Sequence, residues 1–132
     1  MIKSFDNTVG IRGVGIDMTA ISRYTEMPEE KQLRFAKFVL SEDELEKYES
    51  SRKKDQQLAV YFCAKEAVSK ALGTGFAGVA PRSIILREDE KGRPFICLRD
   101  SALKTAEKLG ITAIHVSVTH ETGTVAVIAI AE

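Results

Sequence analysis

Residues 55–75 read DQQLAVYFCAKEAVSKALGTG, and this segment predicts the central helix around which the other elements are arranged. At about 100° per residue, its large apolar side chains fall on one stripe of a helix. The members of that stripe are Leu58, Tyr61, Phe62, Val68 and Leu72. Gly73 supplies the glycine that a left-handed helix cap requires, so the segment predicts a helix over residues 55–72.

The flanking segments predict shorter helices and strands on both sides of that helix. Ser41 and Glu44 have the spacing of a capping box, which predicts that a helix begins at residue 42. We also expect Thr19 and Asp100 to cap the helices that follow them. The predicted strands cover residues 11–18, 83–87, 94–98, 113–119 and 124–131, and the other predicted helices cover residues 20–27, 29–40, 42–54 and 100–109.

This order of elements predicts the fold class. A chain of 132 residues fits one domain, which we place over residues 1–132. Residues 120–123, between the last two strands, carry the signal of a hairpin. We therefore expect an α+β domain in which an antiparallel sheet packs against the long central helix. Residues 1–10 show no clear periodicity, and we expect them to fray.

Composition excludes several classes of protein. Hydrophobic residues make up 44% and charged residues 29%, which is ordinary for a globular protein and excludes a disordered chain. Nineteen basic and nineteen acidic residues give zero net charge, so no global charge attracts nucleic acid or an anionic membrane. Two cysteines are too few for a disulfide framework. No apolar run approaches the length of a membrane helix, and we expect a cytoplasmic protein.

Two familiar motifs are excluded by their context. Gly73, Gly75 and Gly78 spell the GxGxxG of dinucleotide-binding folds. That motif needs a preceding strand and a following helix, whereas here it follows a helix, whose C-terminal end repels phosphate. A zinc site is also disfavoured, because the cysteines and histidines lack the close spacing of zinc ligands. They stand at Cys63, Cys97, His115 and His120.

Three charged residues of the predicted long helix break the local pattern. Lys65 projects into the middle of the apolar stripe, Glu66 lies at its edge, and Lys70 follows Glu66 by one turn. One interpretation is structural: Lys65 snorkels to water, and Glu66 and Lys70 form an ordinary ion pair. The other is functional, because an acid and two ammonium groups beside a pocket suit a metal-bound phosphate.

Asp17 favours the functional interpretation. It ends a strand-like run that contains two glycines, at a position where a loop site would be built. Two carboxylates from separate elements, Asp17 and Glu66, suit Mg²⁺, which usually takes one or two protein carboxylates together with water and phosphate. Nearby lysines would neutralise charge on a departing phosphate. These residues suggest metal-assisted phosphoryl or phosphodiester chemistry.

The same residues carry a resemblance to a known family. The chain resembles the holo-[acyl carrier protein] synthases, the short bacterial type of 4′-phosphopantetheinyl transferase. The most specific part is the string KEAxxKAxGTG over residues 65–75. The other matching parts are Gly15-Ile16-Asp17 with Ile21 and Arg23, Phe62, Gly92-Arg93-Pro94, and the run HVSVTH over residues 115–120.

The resemblance implies an activity. Such an enzyme transfers the 4′-phosphopantetheine arm of coenzyme A to a serine of apo acyl carrier protein in fatty acid biosynthesis, releasing adenosine 3′,5′-bisphosphate. Asp17 and Glu66 would hold Mg²⁺, Glu66 would take the serine proton, and Lys70 would stabilise the departing phosphate. Four further residues would lie toward coenzyme A. They are Lys65 and His120, at its phosphates, and Gly73 and Gly75, whose tight helix end leaves room for the ligand.

The resemblance also implies partners. Its members form homotrimers with sites between subunits, so we expect a homotrimer here. Arg23 and Arg34 match the basic positions that face the acidic carrier protein. Tyr61 stands where many relatives have an arginine, and Thr124 where an aromatic residue is common, so one contact to coenzyme A is in question. A non-enzymatic binding module and a metal-dependent nucleotide hydrolase are the competing hypotheses.

Overall fold

The computed structural model describes residues 10–132, which form an α+β fold in which an antiparallel sheet packs on one long helix. The sheet has three strands in the order β1-β5-β4, and a separate hairpin pairs β2 with β3. The strands are β1 (Gly13–Ala20), β2 (Ile84–Glu88), β3 (Pro94–Leu98), β4 (Ile114–Glu121) and β5 (Thr124–Ala131). The helices are α1 (Ser22–Thr25), α2 (Glu29–Val39), α3 (Glu42–Ser50), α4 (Lys54–Ala71) and α5 (Asp100–Lys108), with a 3₁₀ turn at Pro81–Ser83.

Strand β1 lies directly against the backbone of α4. A Cβ atom added to Gly15 would lie 1.9 Å from the carbonyl oxygen of Ala67, and one added to Gly13 would lie 1.9 Å from that of Ala71. No side chain fits at either position, since non-bonded carbon and oxygen atoms do not approach that closely. The two glycines therefore let a strand lie directly on the helix backbone, as a glycine in a strand often does.

The core forms between the inner face of the sheet and α4. Strand β5 lies in the middle of the sheet and alternates strictly, so that every second side chain points to the helix. The inward-facing residues of β5 are Val125, Val127, Ala129 and Ala131. Helix α4 is buried on most of its circumference, which explains why small alanines outnumber large residues where the strands cross it.

The main sequence predictions of fold are confirmed. Helix α4 runs over Lys54–Ala71, within one residue of its predicted bounds, and Gly73 adopts a φ of 80° as its cap. The hairpin between β4 and β5 closes through Thr122 and Gly123, whose φ angles of 48° and 74° suit the twist of a tight hairpin. No helix among residues 10–132 is long and apolar enough to cross a membrane.

Several local predictions were wrong. Thr19 lies inside β1 rather than capping a helix, because the strand continues to Ala20. Asp100 forms no side-chain cap and is itself the first residue of α5, with a φ of 47°. The capping box at Ser41 is present, but its helix ends at Ser50 rather than near residue 54. We predicted that residues 1–10 fray, and residues 1–9 lie outside the part of the chain that the structure describes.

Candidate active site

The crossing of β1 over α4 brings together Asp17 and Lys70. The Lys70 ammonium donates a hydrogen bond to an Asp17 carboxylate oxygen at 3.1 Å and another to the Ile16 carbonyl oxygen at 3.0 Å. Lys70 remains half exposed, so this ion pair contributes little to stability. Its importance is positional, because it holds an acid and an ammonium group side by side at the end of the strand.

Glu66 lies on the same side of α4 as Lys70, one turn earlier. Burial raises the pKa of its carboxyl group above the ordinary value, and the negative charge of Asp17 raises it further. The positive charges of Arg23 and Lys70 act in the opposite direction. Among residues 10–132, the Glu66 carboxylate makes no hydrogen bond or ion pair. It is therefore an acid that faces another acid and is available to a ligand.

Helix α1 closes one side of this acid pair. Its Arg23 guanidinium lies over the ring of Tyr24, 5.5 Å from the ring centroid, and is exposed to solvent. Its positive charge is one of the two that lower the pKa of the Glu66 carboxyl group. Arg34 is exposed on α2, where no ion pair involves it within the described part of the chain.

Lys65 points into the protein, away from any ligand. Its ammonium is fully buried and donates to the Glu44 carboxylate at 2.7 Å, to the Pro81 carbonyl oxygen at 3.0 Å and to the Ile84 carbonyl oxygen. These three acceptors use all three N–H donors of the ammonium group. The expected contact of Lys65 with the phosphates of coenzyme A is thus not made in this arrangement, and snorkelling to water is excluded as well.

Glu44 completes this buried cluster and was missed from the sequence. Its other carboxylate oxygen accepts from the Leu86 backbone amide at 2.9 Å, and the Ser41 amide donates to the oxygen shared with Lys65. The mixed charges of residues 42–54 are typical of a solvated helix face, whereas Glu44 is 1% exposed. One available signal was its spacing of four residues from Tyr48, which puts both on the inner face of α3.

His120 lies in a different cavity from the acid pair. This cavity has a volume of about 590 Å³ and is formed mainly by the start of α4 and by the β2–β3 hairpin. Its lining includes the cations Arg52 and Lys53 together with His120, and neither Asp17 nor Glu66 contributes to it. The structure therefore does not join His120 to the acid pair within one chain.

The helix end at Gly73 and Gly75 lies two turns beyond Glu66. Both glycines have positive φ angles, 80° and 56°, which L-residues with side chains rarely adopt. The amides of Thr74 and Gly75 donate to the Ser69 carbonyl oxygen, which tightens the turn. A Cβ atom at either glycine would meet nothing within 4 Å, so the space outside this turn is open.

Comparison with known proteins identifies the class to which this fold and site belong. The model of the 4′-phosphopantetheinyl transferase superfamily matches residues 13–128. The chain is 42% identical to a holo-[acyl-carrier-protein] synthase of Treponema denticola over 123 residues, covering 92% of this chain and 98% of that protein. It is 38% identical to the synthase of Vibrio parahaemolyticus, covering 86% and 90% of the two chains.

Solved structures agree. The crystal structure of the Neisseria meningitidis holo-[acyl-carrier-protein] synthase superposes with a TM-score of 0.86 at 31% identity, covering 93% of this chain and 99% of that one. That of Bacillus anthracis, in complex with coenzyme A (3′,5′-ADP), gives 0.73 at 26% identity and covers 92% and 96%. The chain belongs to the holo-[acyl-carrier-protein] synthase family and is a 4′-phosphopantetheinyl transferase, which confirms the resemblance noted from its motifs.

The buried Lys65–Glu44 pair leads to a first expectation. Lys65→Met leaves the Glu44 carboxylate buried without its cation, and we expect a loss of about 3–5 kcal/mol in the free energy of unfolding. The double variant Glu44→Gln/Lys65→Met has neither charge. We expect it to recover at least about half of the free energy of unfolding that Lys65→Met loses. Urea unfolding of the wild type, both single variants and the double variant measures this. Wild-type stability in Lys65→Met, combined with weaker binding of coenzyme A, would contradict the structural role.

Proposed function

We propose that the chain transfers the 4′-phosphopantetheine arm of coenzyme A to a serine of apo acyl carrier protein, in fatty acid biosynthesis. The products are holo acyl carrier protein and adenosine 3′,5′-bisphosphate. The observation that carries this proposal is the free Glu66 carboxylate beside Asp17 and Lys70, in a chain of this transferase family. The reaction takes place in the cytoplasm, which fits two cysteines that are both unpaired.

The two acids fit Mg²⁺. Asp17 and Glu66 offer two carboxylates, and no group of three or more metal-binding side chains is found among the described residues. Mg²⁺ commonly binds through one or two carboxylates and takes its other ligands from water and phosphate. The repulsion that raises the pKa of Glu66 is the kind that a cation between Asp17 and Glu66 relieves. When bound there, the ion supplies positive charge to the pyrophosphate of coenzyme A.

Glu66 is the general base of the proposed reaction. The serine hydroxyl of the carrier attacks the phosphorus atom that bears the pantetheine arm, and Glu66 removes its proton. A phosphorus–oxygen bond forms to the serine, and the bond between the two phosphates of coenzyme A breaks. The Glu66 carboxylate has no hydrogen-bond partner among residues 10–132, so one of its oxygens is available to accept this proton.

Lys70 serves the leaving group. Its ammonium is anchored to Asp17 and to the Ile16 carbonyl, yet it is half exposed and retains a third N–H for a ligand. An ammonium at this position stabilises the negative charge that develops on the departing adenosine bisphosphate, and it can donate a proton there. The open turn at Gly73 and Gly75 leaves space for coenzyme A beside it.

The nucleotide half of coenzyme A fits the cavity that contains His120. Adenosine 3′,5′-bisphosphate carries several negative charges, and Arg52 and Lys53 supply local positive charge in a chain whose net charge is zero, while His120 offers ring nitrogens for hydrogen bonds. The amino-terminal end of α4 lies at the same cavity, and the positive end of its helix dipole favours an anion there. This cavity offers the cationic contacts that Lys65, being buried, does not.

The active protein is a homotrimer whose sites lie between subunits. One chain keeps His120 and the acid pair in different surroundings, so a neighbour is needed to complete a site. The outer face of the sheet provides an apolar surface for that neighbour, since it exposes four large side chains. They are Val14, Ile16, Met18 and Ile128, between 38% and 70% exposed. Such a contiguous apolar patch is typical of an interface.

The carrier protein binds near Arg23 and Arg34. Both guanidinium groups are exposed, on the neighbouring helices α1 and α2, and Arg23 stands beside the acid pair. An acidic carrier approaching from this side would deliver its serine to Glu66. The acids Glu29 and Glu30 at the start of α2 weaken this positive surface but leave both arginines accessible.

A transfer assay tests the proposed function. We expect wild-type protein, incubated with coenzyme A, Mg²⁺ and apo acyl carrier protein, to add one phosphopantetheine mass to the carrier, as measured by mass spectrometry. Glu66→Gln should lower the rate by at least about 100-fold, because it removes the base. Its circular dichroism and melting temperature should stay close to wild type.

The control variant is Glu107→Gln, on the exposed side of α5. It makes the same chemical change away from the site and should keep full activity. Unmodified carrier after incubation with wild-type protein would refute the transferase proposal. Release of phosphopantetheine into water without any carrier would instead identify a nucleotide hydrolase.

Charge reversal tests the carrier surface. Arg34→Glu should raise the KM for the carrier by about tenfold at low salt, since it replaces an attraction by a repulsion, and the effect should shrink as salt is added. Binding of coenzyme A, measured by calorimetry, should remain within about twofold of wild type. Lys104→Glu on α5 is the control of equal charge change. Equal weakening of carrier and coenzyme A binding would argue against a carrier-facing Arg34.

Disruption of the apolar sheet face tests the assembly. In light scattering, wild-type protein should have three times the chain mass of 14.5 kDa. Ile128→Glu places a charge in the middle of the outer face and should give monomers that lose transfer activity. Leu103→Glu, at an exposed apolar residue of α5, should leave both the trimer and the activity intact. A fully active wild-type monomer would exclude sites shared between subunits.

A further inference from the structure

The cavity that contains His120 has one side that is separate from Arg52 and Lys53. A smaller cavity of about 140 Å³ adjoins it and shares four of its lining residues. The shared residues are Gln57, Val60, Leu86 and Glu88. Arg52, Lys53 and His120 line only the larger cavity. The shared residues therefore form one side of the larger cavity, and Arg52, Lys53 and His120 lie on another.

Glu88 is the single acid among the described residues that line the larger cavity. Its side chain is exposed, and its carboxylate makes no hydrogen bond or ion pair among residues 10–132, although Lys47 and Arg87 line the adjoining cavity. A carboxylate accepts hydrogen bonds and donates none at neutral pH. Glu88 therefore repels phosphate and requires a hydrogen-bond donor from any ligand that it contacts.

The alternation of β2 directs Glu88 toward the cavity. Leu86 and Glu88 are two residues apart, so their side chains project from the same face of the β2–β3 hairpin, and both line the cavity. Pro94 lies opposite Glu88 in the register of the two strands, and Val60 of α4 lines the same cavity. Glu88 thus stands beside three apolar side chains, as the few polar groups of a ligand pocket usually do.

The nucleotide half of coenzyme A offers two hydrogen-bond donors that could meet this acid. One is the exocyclic amine of adenine, and the other is the ribose 2′-hydroxyl, which stays free because position 3′ carries a phosphate. Apolar side chains suit the faces of a planar ring better than a polar sugar. Pairing of a carboxylate with the exocyclic amine of a base is also a common mode of recognition. The amine of adenine is therefore the donor that fits Glu88.

We propose that Glu88 determines base specificity: its carboxylate accepts a hydrogen bond from the exocyclic amine of adenine when the nucleotide half of coenzyme A occupies this cavity. The faces of the base then contact the apolar side chains of α4 and the hairpin, while the phosphates meet Arg52 and Lys53. A purine without the amine leaves the acid without its donor. This inference rests on the proposed function, which assigns the nucleotide to the cavity.

A cycle of two nucleotides and two proteins tests the contact. Adenosine 3′,5′-bisphosphate and purine riboside 3′,5′-bisphosphate carry the same phosphates and differ only in the amine, so the ratio of their affinities cancels general effects of charge. In calorimetry, wild-type protein should bind the adenosine form at least about tenfold more tightly. In Glu88→Ala the ratio should fall to about twofold or less. Equal affinities in wild type, or an unchanged ratio in Glu88→Ala, overturn the inference.

The matched control is Glu90→Ala, which removes an acid from the turn of the same hairpin outside the cavity lining. It should keep the wild-type ratio. A third ligand, 2′-deoxyadenosine 3′,5′-bisphosphate, tests the ribose. Weaker binding of this ligand to wild type, with the difference abolished in Glu88→Ala, would assign Glu88 to the ribose and overturn the contact with the base.

The transfer assay separates failure of this inference from failure of the proposed function. A wild-type protein that modifies the carrier but shows no preference dependent on Glu88 rejects the base contact alone. A wild-type protein that neither modifies the carrier nor binds the bisphosphates rejects the proposed function, and the base contact with it.

Discussion

The site depends on one steric constraint, the direct contact of β1 with the backbone of α4. Gly15 lies on the carbonyl oxygen of Ala67, and a methyl group there would force the strand away from the helix. Asp17 follows two residues later on the same face of the strand, which brings its carboxylate to Lys70 and beside Glu66. Without the glycine contact, the two acids would stand on separate layers. A backbone contact in the core thus sets the geometry of a polar site at its edge.

Helix α4 must also be fixed in its rotation about its own axis, because Lys65 has to be buried while the next residue, Glu66, has to face the site. Lys65 is enclosed and satisfied by Glu44 and two carbonyl oxygens, while Glu66, about 100° further round, is left without a partner. A rotation of the helix that would bury Glu66 would break all three bonds of Lys65. The buried ion pair contributes little net stability by itself, since its desolvation offsets its attraction. What the pair does is fix the rotation of α4 about its axis. Its partners for Lys65 lie on α3 and β2, which do not contribute to the candidate active site.

Sequence was informative wherever a local rule decides the structure. Helix α4, its glycine cap and the β4–β5 hairpin follow from periodicity and turn chemistry, whereas the roles that the family motif gives to Asp17 and Glu66 stay predictions. The buried cluster could not be predicted, because the interpretation of Lys65 depends on whether Glu44 meets it across a separation of 21 residues. Charge density along α3 favoured a solvated face, and tertiary packing overrode it for one residue.

The separation of His120 from the acid pair explains two features that look unrelated. In the proposed function, a chain with zero net charge binds an anionic nucleotide through the local cations at the start of α4 rather than through an overall field. The acids that would repel that nucleotide lie elsewhere on the same chain. Association through the apolar sheet face would bring one chain's cations toward another chain's acids, so that both ends of coenzyme A are matched in charge. An exposed apolar sheet, unfavourable for an isolated monomer, is then the surface that makes a small domain large enough to hold a long ligand.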